Sequence, residues 1–142
     1  MQRCLIIEGS PIVRKVMRAI LTDFGFDVVE AAGGREGILQ FNRHIPSLAL
    51  VDAGITDMPA LDVLRHMRDA AGGKVQVLYC TTQFDVIEAQ RASAAGATDL
   101  LVKPFDRRSL AARLRVGGRG NGEGSDEGFY SRLSRSEIVR IA

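Results

Sequence analysis

Glu8, Asp52, Thr81 and Lys103 each stand at the end of a short apolar run, at residues 4–7, 48–51, 75–80 and 100–102. Runs of this length read as buried strands, and in a parallel sheet the carboxyl ends of the strands share one edge. Four residues far apart in sequence therefore converge on one site. Two acids, a hydroxyl and an ammonium are the groups that phosphoryl transfer to an aspartate requires: a carboxylate nucleophile, and positive charge and hydrogen-bond donors for the phosphoryl oxygens.

The elements that must position these groups alternate strand and helix from residue 3 to about 115, the pattern of repeated β-α units around a parallel sheet. After the strand at 3–8, Ser10-Pro11 opens a helix, with serine as cap and proline in the first turn. Val13, Val16, Met17, Ile20 and Phe24 recur at helical spacing as one apolar stripe, and Gly25 ends it. A second strand is expected at 27–31 and a second helix at 35–44, with Ile38, Leu39 and Phe41 inward and Pro46 as the stop. Strand 48–52 leads through a loop to a helix at 60–69, followed by strand 75–81, a helix at 85–95 ending at Gly96, strand 99–102 and a last helix capped by Asp106. The expectation is five strands and five helices.

At 142 residues the chain holds one domain of ordinary size plus a tail. A net charge of +2, with fifteen basic and thirteen acidic residues over 1–116 and four of each over 117–142, gives no basic surface of the kind a nucleic-acid binder needs. The first acid, Glu8, comes too early for a signal peptide, and no apolar run approaches the ~20 residues that span a bilayer, so a soluble cytoplasmic protein is expected. Cys4 and Cys80 lack metal-ligand spacing and read as core residues. His44 and His66 read as surface histidines on helices. Residues 1–116 form the domain; 117–128, half of them glycine, read as a flexible linker. Residues 129–142 mix apolar and basic side chains and could form a short amphipathic helix, marginal on its own in water.

The chain resembles the receiver domains of bacterial two-component response regulators, in particular the single-domain chemotaxis type, over about residues 3 to 115. The likeness rests on Leu5-Ile6-Ile7-Glu8-Gly9-Ser10 with Arg14, on Gly25-Phe26 and Val28-Val29-Glu30-Ala31, on Leu50-Val51-Asp52, on Thr81, and on Ala95-Gly96-Ala97 with Asp99-Leu100-Leu101 and Lys103-Pro104-Phe105. It implies an α/β doubly wound, flavodoxin-like fold with strand order 2-1-3-4-5 and a cis Lys103-Pro104 bond. It also implies that Asp52 accepts a phosphoryl group from a histidine kinase or phosphotransfer protein, with Thr81 and Lys103 on the phosphoryl oxygens. Magnesium would be held by Glu8, Asp52 and the backbone carbonyl of Gly54. Downstream, a protein target or a second copy of the domain would meet the fourth and fifth helices, where Arg91, Arg107, Arg108, Arg113 and Arg115 lie. Such a protein is a phosphoacceptor that at most catalyses its own phosphorylation and dephosphorylation. The 26 residues after the domain are too few for a DNA-binding output module.

The departures cluster at the metal site and the switch. The family usually places two consecutive acids after the first strand, and here Glu8 is followed by Gly9. Metal affinity and phosphorylation rate should fall. Asp57, in the loop after Asp52, is either a replacement acid or a solvated turn residue. Thr82 stands where a smaller residue is usual, and Leu100 stands where many members carry the aromatic that swings with the threonine. A second class of function stays open, a phosphorylation-independent interaction module. Retention of Asp52, Thr81 and Lys103 argues against it. A dinucleotide domain would need a GxGxxG turn after the first strand, and an aspartate phosphatase a second aspartate two residues after the first; neither is present.

Overall fold

The computed structural model describes residues 2–114; the expected linker and tail, and Arg115, lie outside them. Five parallel strands, β1 (Arg3–Ile7), β2 (Asp27–Ala31), β3 (Leu48–Asp52), β4 (Gln76–Thr81) and β5 (Asp99–Val102), are ordered 2-1-3-4-5. The helices are α1 (Pro11–Asp23), α2 (Gly34–Arg43), α3 (Ala60–Ala71), α4 (Val86–Ala95) and α5 (Arg107–Arg113), with a 3-10 turn at Gly72–Lys74. Alternation along the strands builds two cores. Leu5, Ile7, Ala49, Val51, Tyr79 and Leu100 face α2, α3 and α4. Cys4, Ile6, Leu48, Leu50, Cys80 and Leu101 face α1 and α5. Burial pushes both cysteine thiols well above their ordinary range, so they behave as small apolar residues.

The start signals at Ser10 and Asp106 work as expected: the Ser10 hydroxyl accepts from the Val13 amide at 3.3 Å with Pro11 in the first turn of α1, and Asp106 with Ser109 forms a capping box on α5. Asp85, expected inside the fourth helix, is instead its cap. At Gly96 the backbone turns left-handed, φ 116°, closing α4. Gly37 allows α2 to lie against β1, since a Cβ there would collide with the Ile7 side chain in the sealed core.

Side-chain placements on α1, α2 and α5 differ from the sequence reading. The buried face of α1 is Met17, Ile20 and Leu21, which leaves Val16 53% exposed at its margin and Phe24 partly exposed beyond the helix end. On α2, Leu39 lies ~200° around the helix from Phe41 and faces solvent, so only Phe41 fully and Ile38 partly turn inward. Arg113 is no surface charge. It is buried, donates to the Leu100 carbonyl at 3.3 Å, approaches Asp99 at 3.9 Å, and its own carbonyl accepts from Gln76. Arg107 is exposed and pairs with Asp23, so among the described residues the basic face expected on α4 and α5 consists of Arg91, Arg108 and an Arg107 offset by its acid.

Asp57 has a definite role that local sequence did not reveal. Its carboxylate accepts from the amides of Gly34 at 2.9 Å and Arg35 at 3.0 Å, capping α2 from the β3–α3 loop. It is the exposed turn residue of the two alternatives, with a helix-capping role added. These backbone hydrogen bonds hold its pKa below the ordinary 3.8. A lowered folded-state pKa stabilises the fold above the unfolded value and is lost as pH falls through the folded one. Asp57→Asn is expected to lower the thermal midpoint at pH 7 and to abolish the part of the acid-side loss that begins near pH 4; unfolding curves of both proteins from pH 7 down to pH 2 check this.

Candidate functional site

At the carboxyl edge of the sheet the four polar groups meet. Asp52 ends β3 and Thr81 ends β4, while Glu8 and Lys103 each follow their strand by one residue; Glu8, Asp52 and Thr81 are 3%, 8% and 6% exposed. The Glu8 amide donates to the Ala31 carbonyl at 3.0 Å and the Lys103 amide to the Thr81 carbonyl at 2.7 Å, so ladder bonds fix where each side chain starts. The Lys103-Pro104 bond is cis. Arg14 reaches back from α1 to the carbonyls of Glu8 at 2.7 Å and Gly9 at 3.3 Å and pairs with Glu30 at 3.4 Å, steadying the β1–α1 loop.

Lys103 organises the charge. Its Nζ lies 2.5 Å from Glu8 Oε1 and 2.7 Å from Asp52 Oδ1. Glu8 Oε2 accepts from the Ser10 amide at 3.2 Å, and Asp52 Oδ2 from the Gly54 amide at 3.0 Å. Burial works against the ammonium, but the hydrogen bonds and charges of Asp52 and Glu8 outweigh it and raise the Lys103 pKa above its usual 10.5. Thr81 sits beside this bridge with its hydroxyl turned to its own turn, donating to the Gln83 carbonyl at 3.1 Å. An open pocket of about 270 Å³ lies over the group, walled by Asp52, Gly54, Thr81, Thr82, Lys103 and Glu88. Glu88 was not among the residues singled out by sequence.

Position 9 is roomy. A Cβ on Gly9 would meet nothing nearer than the Ala32 carbonyl oxygen at 3.7 Å, and the residue borders a cleft shared with Gly33, Arg35, Gly54 and Asp57. Among the described residues no three His, Cys, Asp or Glu side chains form a metal-holding group. The donor set at the edge is two carboxylates and a carbonyl. That suits magnesium, which keeps several waters and takes one or two carboxylates, but Lys103 already engages both acids. His66 is half-buried, with Nε2 2.8 Å from Asn42 Oδ1 and its ring edge-on to Phe41.

A family model described as the response regulator receiver domain matches residues 4–115. The chain belongs to that family. Among curated relatives, the transcriptional regulatory protein KdpE of Mycobacterium tuberculosis is 33% identical over 117 residues, covering 82% of this chain and 51% of KdpE. The virulence transcriptional regulatory protein PhoP of Salmonella typhimurium is 30% identical, with 82% and 51% covered. The chain thus spans about half the length of the curated relatives it matches. Among solved structures, chemotaxis protein CheY4 of Vibrio cholerae superposes with a TM-score of 0.73 at 27% identity, covering 78% of this chain and 93% of CheY4. Receiver domains are signalling domains that take a phosphoryl group and generally bind magnesium, and they work with histidine kinases and phosphotransfer proteins. No helix among the described residues of this receiver is long and apolar enough to cross a membrane.

Removing the bridging ammonium leaves two mostly buried carboxylates facing each other. Lys103→Met is expected to lose about 3 kcal/mol at pH 7, the low end for removing one partner of a buried ion pair, because Lys103 keeps some solvent contact. The raised pKa means that the wild-type advantage is present below pH 10.5 and fades as pH rises through the folded value. Denaturant titrations at pH 5, 7 and 11 check both arms, and the gap should be widest at pH 7.

Proposed function

We propose that this protein is a signalling switch in which Asp52 accepts a phosphoryl group from a histidine kinase or phosphotransfer protein. The observation that carries the reading is the Asp52 carboxylate, held by Lys103 and the Gly54 amide at the floor of an open pocket walled by Thr81. A carboxylate oxygen attacks phosphorus, a P–O bond forms as the donor's P–N bond breaks, and the leaving imidazole keeps the electron pair. Lys103 pairs with one phosphoryl oxygen. Thr81 rotates its hydroxyl from the Gln83 carbonyl to another. Water returns Asp52 and releases inorganic phosphate. Glu8, Asp52 and the Gly54 carbonyl are the groups that would hold magnesium, which when bound neutralises charge on the phosphoryl oxygens. With Gly9 supplying no carboxylate and Lys103 competing for both acids, that affinity is low.

An apolar groove of about 370 Å³ opens beside Lys103 and Thr82, lined by Ile12, Val13, Val16 and Phe105, with Ile12 77% exposed. A helix carrying the donor histidine fits there, next to the acceptor. Output passes to a protein target through α4 and α5. A second reading, a phosphorylation-independent binding module, is favoured by Gly9 together with the engagement of both acids by Lys103.

Intact mass after incubation with acetyl phosphate and magnesium separates the two. The expected result is a gain of one phosphoryl group that Asp52→Asn abolishes. Gly9→Asp, for which there is room, should lower the magnesium concentration needed by roughly tenfold, as one added carboxylate ligand would. No gain in the wild type at high magnesium, with a gain in Gly9→Asp, would favour the binding module.

A further inference from the structure

We propose that Glu88 is a positioning residue that ties α4 to the charge in the acceptor pocket, with Tyr79 as its latch. The proposal rests on Asp52 being the phosphoacceptor. Tyr79 and Thr81 lie on the same face of β4, and Tyr79 pairs across the ladder with Leu100. Leu100 has no polar tip, so the strand position where relatives carry a switching aromatic is silent here; the buried aromatic stands one strand over. The Tyr79 ring is 3% exposed, and its hydroxyl donates to Glu88 Oε1 at 2.9 Å. Burial, the Glu88 hydrogen bond and the charges of Glu88 and Asp52 all push the phenol well above its ordinary range, so it remains a donor.

Glu88 looks two ways. It sits in the first turn of α4 and also walls the pocket with Asp52, Thr81 and Lys103. Its partner is a neutral phenol rather than a cation. Phosphorylation turns the Asp52 carboxylate, with one negative charge, into an acyl phosphate with about two, so about one further negative charge enters a pocket whose one ammonium already serves two carboxylates. The least neutralised wall charge, Glu88, is repelled. When it leaves, the Tyr79 hydroxyl loses its acceptor and the first turn of α4 loses its tie to β4. That helix is easily moved, because the residues it buries are Ala89, Ala92 and Ala95, which remove little apolar surface from water. Val86 and Ile87, 51% and 59% exposed, ride on the turn that shifts.

The chain has two tyrosines and no tryptophan, so in the Tyr130→Phe protein ultraviolet emission reports Tyr79 alone. A phenol hydrogen-bonded to a carboxylate is quenched. On treatment with acetyl phosphate and magnesium, emission is expected to rise in step with the phosphoryl gain seen by intact mass. Glu88→Gln in the same background should emit more at rest and respond no further. A mass gain with unchanged emission, or a Glu88→Gln protein that responds like its parent, would overturn the proposal. Absence of a mass gain would overturn the acceptor reading. The latch, which has no trigger without a phosphoacceptor, would fall with that reading.

Discussion

The carboxyl edge of the sheet in this receiver depends on one ammonium shared by two carboxylates. Lys103 lies within hydrogen-bond distance of Glu8 and Asp52, on the strands that flank and contain the centre of the sheet. Two acids this buried repel each other strongly, since the low local dielectric leaves their charges poorly screened. One cation placed between them offsets both. The bridge also ties the end of β5 to β1 and β3 across β4, so the same contact that neutralises the site helps close the edge of the sheet.

That arrangement explains why Gly9 can be tolerated. A second acid after β1 would add a third carboxylate to a group with one fixed cation and would call for a divalent ion to balance it. Without it the site carries two negative charges and one positive charge. The balance is tight enough for Lys103 alone to hold the resting state, yet a phosphoryl group upsets it. The excess charge would then be met by a bound cation, by the donor's own surface, or by movement of an anion in the pocket wall such as Glu88, which is held by a neutral phenol.

The site was legible because its four residues interrupt apolar runs at strand ends, a signal that survives without any contact information. Strand order came from the family resemblance, and two of the caps from short-range chemistry at Ser10 and Asp106. What escaped depends on long-range contacts. Asp57 caps a helix 23 residues away, and Glu88 meets a phenol on a neighbouring strand, so neither leaves a local trace. Arg113 reads as one more surface arginine until Asp99 and the Leu100 carbonyl are placed beside it. Leu39 and Val16 were misassigned because apolar identity was read as direction, whereas the angle around the helix decides which side faces the sheet.

The shared ammonium is tested most directly by a double-mutant cycle on the acids, with Glu8→Gln, Asp52→Asn and the combined variant compared by denaturant unfolding at pH 7. Each single change leaves Lys103 one carboxylate, so each should cost little. The combined variant leaves a half-buried ammonium with no charge partner, and its loss should exceed the sum of the singles by at least about 1 kcal/mol. Additivity within about 0.5 kcal/mol would mean that Glu8 and Asp52 do not share Lys103, and would contradict the account.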